Sequence, residues 1–202
     1  MSVQFQAENL RKEYDGRAVI DSISFSLRDG RTLCVTGPNG SGKSTLMRLC
    51  AGLLRPDSGS TLLFVDGLRE SVTGKGHCAF ASPDIRWYRD LSARENIALL
   101  YASDAARTRS CETFCARFGL DAYSDTRLAD YSSGMLQRFS LALVFGSDAP
   151  LLLFDEPGSF LDAEGKSLFR EVFKEQFPSR IAMIATNDPD EAALCEKEVR
   201  LG

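Results

Sequence analysis

The chain is short of several things, and each shortage removes a class of function. No run of apolar residues approaches the ~20 needed to cross a bilayer as a helix. The longest, Leu151 to Phe154 with its flanks, is strand-sized. Any attachment to a membrane is therefore expected to come through a partner. The N-terminal residues Met1 to Gln6 lack a basic cluster leading into an apolar core, so a secretory signal is not expected and a cytoplasmic chain is. A basic excess is missing too. Lys and Arg total 24 against 28 Asp and Glu, a net charge of −4. Nucleic-acid binders usually carry a basic balance or stripe, so no nucleic-acid partner is expected. Repeats and low-complexity linkers are absent. The 202 residues suffice for one domain with a substantial core and not for two, so residues 1–202 are expected to form a single domain.

Histidine is the scarcest functional residue, with His77 the only one. It follows Gly74-Lys75-Gly76 and reads as an exposed loop residue. Six cysteines are scattered at 34, 50, 78, 111, 115 and 195. Cys111 and Cys115 share a face of a helix, but no second Cys/His pair stands at metal-ligand spacing. Buried or half-buried free thiols in a reducing compartment are the expectation.

What is present has a clear order. Val3, Phe5, Ala7 and then Ile23, Phe25, Leu27 fall on alternate positions, the period of a strand, with turns at Asp15-Gly16 and Asp29-Gly30. Strands are expected at 32–36, 61–65, 78–81, 151–154, 181–185 and 198–201. Helices are expected at 44–54, through much of 92–118, ending at 142–145, at 161–177 and at 191–195. Strands alternating with helices imply an α/β fold with a mostly parallel sheet covered on both faces; the N-terminal alternation implies an added antiparallel layer. Residues of about 84–145 read as a helical part inserted into that core.

Gly37-Pro38-Asn39-Gly40-Ser41-Gly42-Lys43-Ser44, followed by Thr45, matches G-x-x-x-x-G-K-[ST] at every fixed position. It leaves a strand and opens a helix, the context that gives the pattern meaning. Glycines let successive N–H groups turn toward phosphate oxygens, and the helix N-terminus adds its positive end. Lys43 can reach the β- and γ-phosphates of ATP, and the Ser44 hydroxyl can ligate Mg²⁺. Downstream, Leu151 to Phe154 run into Asp155 and Glu156. In a parallel sheet those carboxylates meet the ligand crevice, where Asp155 can hold the Mg²⁺ shell and Glu156 can polarise the attacking water.

The segment between those motifs carries a family resemblance. Tyr131-Ser132-Ser133-Gly134-Met135-Leu136-Gln137-Arg138 resembles the ABC signature L-S-G-G-Q, and Gly158 to Asp162 resembles the D-loop. Tyr14, after Leu10-x-Lys12, stands where the family has its adenine-stacking aromatic. Pro56 to Ser60 and Leu91 to Asn96 match further landmarks in order. The resemblance covers nearly the whole chain and is strongest to short ATP-binding subunits of the haem-exporter or cytochrome-c-biogenesis kind. It implies an ATPase whose two copies, identical or not, pack head to tail. Each ATP is then held by the phosphate loop of one copy and by Ser132, Ser133, Gly134, Met135 and Asp162 of the other. A separate transmembrane permease would convert closing and opening into transport at the cytoplasmic face of the membrane.

Three departures from that family stand out. Its loop glutamine is missing after the strand at 78–81. The segment reads Ser82-Pro83-Asp84-Ile85, with Asp84 either a substitute metal ligand or a turn cap, and the only glutamines are Gln4, Gln6, Gln137 and Gln176. The family's switch histidine is replaced by Asn187, which can donate to a γ-phosphate but cannot carry a proton. The signature has Ser133 for a glycine and Met135 for a glutamine, while keeping Ser132 and Gly134. The retained Glu156 implies hydrolysis. The alternatives are an ABC ATPase outside transport and a slow nucleotide sensor. Arg86-Trp87-Tyr88-Arg89 is read as a docking surface for the membrane partner rather than a stacking site for single strands.

Overall fold

A computed structural model describes residues 2–74, 76–176 and 180–202. The first strands are β1 (Val3–Tyr14) and β2 (Arg17–Arg28), an antiparallel pair. Their turn falls at Asp15 and Gly16, both with positive φ, the geometry that matches the twist of a hairpin. β3 (Thr32–Thr36), α1 (Lys43–Cys50), β4 (Ser58–Val65), β5 (Leu68–Glu70) and β6 (Cys78–Ala81) follow. Next come α2 (Ala93–Tyr101), α3 (Ala105–Arg117), α4 (Ser133–Gly146), β7 (Leu151–Asp155), α5 (Ala163–Glu175), β8 (Ile181–Ala185), α6 (Pro189–Ala192) and β9 (Lys197–Arg200).

Two sheets result. One is antiparallel, in the order β2-β1-β4-β5; the other is parallel, in the order β6-β7-β8-β3-β9. Successive side chains of a strand point to opposite faces. Leu151, Leu153, Ile181 and Met183 therefore join Leu46 and Met47 of α1 and Val3, Phe5 and Leu63 of the antiparallel sheet. Leu152, Phe154, Ala182 and Ile184 join Phe139 and Phe145 of α4 and Phe169 and Phe173 of α5. With both faces covered, β7 and β8 read as unbroken apolar runs. Phe145 is a centre of the second cluster, its ring 5.1 Å from Phe154 and 6.0 Å from Phe114, Phe118 and Phe169.

Several boundaries differ from the sequence expectation, for local reasons. α1 ends at Cys50 rather than 54, because the Arg48 carbonyl accepts from both Leu53 and Leu54 N–H, at 2.9 and 3.1 Å. The 92–118 stretch is two helices, since the Asp104 carboxylate accepts from Arg107 N–H and starts a new one. α5 begins after Asp162, which caps it by accepting from Gly165 N–H at 2.8 Å. Its expected end at Phe177 lies outside the described residues. α6 starts at Pro189 because Asp188 caps it, and β9 begins one residue early, at Lys197. The three-residue β5 is too short to show a period and went unanticipated. His77 is half-buried, its Nδ1 2.8 Å from the Ser71 carbonyl oxygen. All six cysteines are free thiols. Burial pushes the Cys78, Cys111 and Cys115 thiols up to about 12.

Because β6, β7, β8 and β3 are parallel neighbours, their C-terminal ends meet at one edge. Those ends carry Ser82, Asp155, Thr186 and Gly37. No helix among the described residues is long and apolar enough to cross a membrane.

Candidate functional site

The loop from Gly37 to Ser44 leaves β3 and enters α1. Gly37, Gly40 and Gly42 have φ of 145°, 83° and 99°, a region that side chains with a Cβ rarely adopt. Space forbids a side chain as well: a Cβ at Gly42 would lie 2.8 Å from Val19 Cγ1. Lys43 is 6% exposed and folds back over its own loop, Nζ donating to the carbonyls of Gly37 at 2.9 Å and Pro38 at 3.4 Å. Ser41 Oγ is buried without a hydrogen-bond partner among the described residues. An ammonium, a helix N-terminus and an unsatisfied hydroxyl around one concave backbone suit a phosphate chain.

Asp155, at the end of β7, is 2% exposed. It accepts from Ser44 Oγ at 3.1 Å and from Ser82 Oγ at 3.4 Å. Burial raises its carboxyl above the ordinary range, and the two hydroxyls oppose that rise. The Ser44–Asp155 pair supplies the hard oxygen donors that Mg²⁺ takes alongside phosphate oxygens. No cluster of three or more His, Cys, Asp or Glu side chains suited to a metal exists among the described residues. Glu156 follows with φ 49°, its N–H held by the Ala185 carbonyl at 2.8 Å. Its Oε1 stands 3.6 Å from Lys43 Nζ. Burial raises this carboxyl too, against the pull of Lys43.

Ser82 was not singled out from the sequence, where it reads as part of a turn. Its place directly after β6, in a sheet whose strand ends converge, is the signal that could have found it. Asp84 makes no hydrogen bond to Asp155 among the described residues, although its negative charge, after burial, helps raise the Asp155 carboxyl. The exposed Asp84 carboxylate forms an ion pair with Arg48, one helical turn beyond Ser44 on α1. Gln137 is a second missed residue: buried on α4, it donates to the Pro157 carbonyl at 2.9 Å and braces the chain just after Glu156.

Asn187, two residues past β8, donates from Nδ2 to Asn39 Oδ1 at 2.6 Å, so the structure brings it onto the phosphate loop. Thr45 lies in the first turn of α1, half-buried beside Ser44. Tyr14 is 47% exposed, with the Lys12 ammonium 5.6 Å from its ring centroid. Ser132 caps α4 by accepting from Met135 N–H at 3.2 Å, and Ser133 is exposed. A Cβ at Gly134 would lie 2.9 Å from the Phe160 carbonyl oxygen. Asp162 accepts from Arg138 Nη2 at 2.9 Å. The Gly165 N–H, and then Arg138, hold its carboxyl below the usual range. Among the described residues no hydrogen bond joins Ser132–Met135 to the phosphate loop. Beside them an open groove of about 700 Å³ is lined by Ser82 to Trp87, Arg89, Leu136, Gln137 and Phe160 among others. Trp87 is anchored there by Nε1–H donating to Ser140 Oγ at 2.9 Å and by edge contact with Phe139.

Residues 20–159 match the family model described as ABC transporter. The cytochrome c biogenesis ATP-binding export protein CcmA of Brucella abortus (strain 2308) is 31% identical over 173 residues, covering 86% of this chain and 80% of the relative. The protein of the same description from Salmonella typhi is 32% identical over 192 residues, covering 91% of this chain and 89% of the relative. The dimeric post-hydrolysis state of the ATP-binding cassette MJ0796 with ADP and Pi superposes with a TM-score of 0.83 at 19% identity, over 98% of this chain and 94% of that one. That last likeness speaks for the fold. With its phosphate loop, paired carboxylates and the match of its sequence, the chain belongs to the ABC transporter family, as an ATP-binding domain.

Proposed function

We propose that two copies of this domain close over ATP and energise a separate transmembrane chain, in an export system of the cytochrome-c-biogenesis kind. One observation carries the two-copy reading. Among the described residues Ser132–Met135 make no hydrogen bond to the phosphate loop, which supports a second copy supplying the other side of the site. A homodimer satisfies this by two-fold symmetry; a second ATP-binding chain of the same build also would.

In that site the phosphate-loop N–H groups and Lys43 hold the β- and γ-phosphates, and Tyr14 stacks on the adenine. Ser44 and Asp155 would hold Mg²⁺, with Ser82 orienting Asp155. Mg²⁺, when bound, neutralises charge on the transferring phosphoryl group. Glu156 accepts the proton of the attacking water, and its raised carboxyl makes it a better base than a free glutamate. Asn187 donates to the γ-phosphate. Ser132, Ser133, Gly134 and Met135 of the second copy close the other side, with Asp162 at the seam. The helical part of about 84–145 carries those signature residues, and the groove beside Arg86–Arg89 receives the membrane partner at the cytoplasmic face.

The test is to purify the tagged chain from gently solubilised native membranes. A stoichiometric polytopic protein is expected. Recovery from the soluble fraction alone, or with ribosomes, would overturn the transporter assignment. A slow nucleotide sensor is the second reading, favoured by the amide at Asn187 where the family has a histidine and by the lack of the family's glutamine in the segment Ser82-Pro83-Asp84-Ile85. Turnover that vanishes in Glu156→Gln argues against it.

A further inference from the structure

Glu191 is a carboxylate without a role in the scheme above. It lies on the single turn of α6 and is 2% exposed. One of its oxygens accepts from Thr186 Oγ1 at 2.5 Å, and that hydroxyl accepts from Asp188 N–H at 2.9 Å. Thr186 is buried and directly precedes Asn187, whose amide rests on Asn39 of the phosphate loop. The other oxygen lies against the backbone of Gly158, two residues past Glu156. A Cβ built at Gly158 would fall far inside van der Waals contact with Glu191 Oε1. A side chain at 158 would therefore displace the carboxylate of Glu191 from its present place. At the rim, Lys166 of α5 pairs with Asp188 at 3.0 Å, tying the same segment down from outside.

Filling this space with a carboxylate is costly. Burial disfavours its charged form, and only the Thr186 hydrogen bond and the Lys166 charge lean the other way. An apolar side chain would fill the gap at lower cost. What it could not do is grip Thr186 on one side while abutting Gly158 on the other.

We propose that Glu191 is a positioning residue that locks the segment 186–188 to the turn 157–162. Asn187 on the phosphate loop and Asp162 on the face meeting the second copy then move as one body. The role presupposes ATP closed between two copies, as proposed above. Without the lock, Asn187 keeps the strand β8 that leads into its bend but loses its lateral support, and displacements of about 1 Å at such contacts cost up to about 100-fold in rate.

The test uses the full chain and three substitutions, Glu191→Ala, Glu191→Gln and Gly158→Ala. Steady-state kinetics, thermal unfolding and ATP-driven dimerisation by sedimentation are measured, the last in the Glu156→Gln background. Glu191→Ala is expected to lower kcat about tenfold with the KM for ATP within about threefold, and to weaken the dimer by a similar factor. Glu191→Gln should recover most of kcat, since its amide oxygen accepts from Thr186 and its volume is the same. Gly158→Ala pushes on the carboxylate from the opposite side and should reproduce the kcat loss; it carries the test if Glu191→Ala folds poorly. Wild-type kcat and dimerisation in both alanine variants would overturn the proposal. So would parallel losses of kcat, KM and melting temperature in all three, which mark a purely structural residue. If Glu156→Gln alone fails to dimerise with ATP, the two-copy reading fails first and this inference with it.

Discussion

Replacing Glu156 with glutamine separates the chemical step from binding and folding. In the structure Glu156 Oε1 is 3.6 Å from Lys43 Nζ, long for an ion pair. Lys43 also donates to the Gly37 carbonyl at 2.9 Å and the Pro38 carbonyl at 3.4 Å, so loss of the carboxylate does not strand a buried ammonium. The change in stability should stay within about 1 kcal/mol, the range of a partly exposed pair. ATP affinity should hold or improve, because a negative charge leaves the neighbourhood of the triphosphate. The rate behaves differently. A positioned general base contributes about 10²- to 10⁴-fold, or about 3–5 kcal/mol of barrier. Phosphate release should therefore fall at least about a hundredfold while ATP still binds and thermal unfolding barely moves. The pH profile supplies a second check. The base must be ionised to work, so kcat of the wild type falls as pH drops through the Glu156 pKa. Burial raises that pKa, moving the acid limb toward neutrality from where a free glutamate would put it. The variant should lose that limb. Retention of more than about a tenth of wild-type turnover, with the limb intact, would refute Glu156 as the base.

Other outcomes follow from the same geometry. Ser82→Ala leaves Asp155 with one hydroxyl donor, a loss of about 1 kcal/mol, so half-saturation by Mg²⁺ should rise about fivefold in nucleotide-binding titrations. Asp84→Asn should leave that titration within about twofold, because the Asp84 carboxylate is engaged with Arg48 at the surface. Asn187→Asp keeps the shape but sets a negative charge against Asn39 and the incoming phosphates. ATP affinity measured by calorimetry should weaken about tenfold, for about 1–4 kcal/mol of repulsion at 4 Å. The Cys115 thiol, 5% exposed and pushed up to about 12, stabilises the fold fully below its unfolded pKa near 9 and loses that contribution as pH rises toward 12. Urea unfolding at pH 8 and pH 10 should differ by about 1.4 kcal/mol more in the wild type than in Cys115→Ala.

The phosphate loop was legible because its chemistry is local. Glycines, a lysine and a serine at fixed spacing specify a backbone shape and a charge with no help from distant residues. The paired carboxylates were legible for a related reason: an apolar run buried on both faces can only be a core strand, and its end must reach the edge of the sheet. Ser82 and Asp84 mark where this stops. Both lie in the turn after β6, and an aspartate looks like the better metal ligand. Which of them meets Asp155 depends on the direction in which the chain leaves β6 and on Arg48 standing within reach on α1. Neither is encoded within a few residues. Glu191 was silent for the same reason, since its partners Thr186 and Gly158 come together only when α6 packs against the turn after β7.

The α/β class, the phosphate loop, the two carboxylates and the family were readable from local sequence, each carried by side chains within one strand, turn or helix. The folded arrangement sets what is not local: Ser82 hydrogen-bonds Asp155 while Asp84 pairs with Arg48, Asn187 rests on Asn39, and Glu191 lies between Thr186 and Gly158. Those are contacts between segments far apart in the chain. Their partners are chosen by the parallel order β6-β7-β8-β3-β9 and the helices packed on it, and no local pattern of residues records which strand ends will become neighbours.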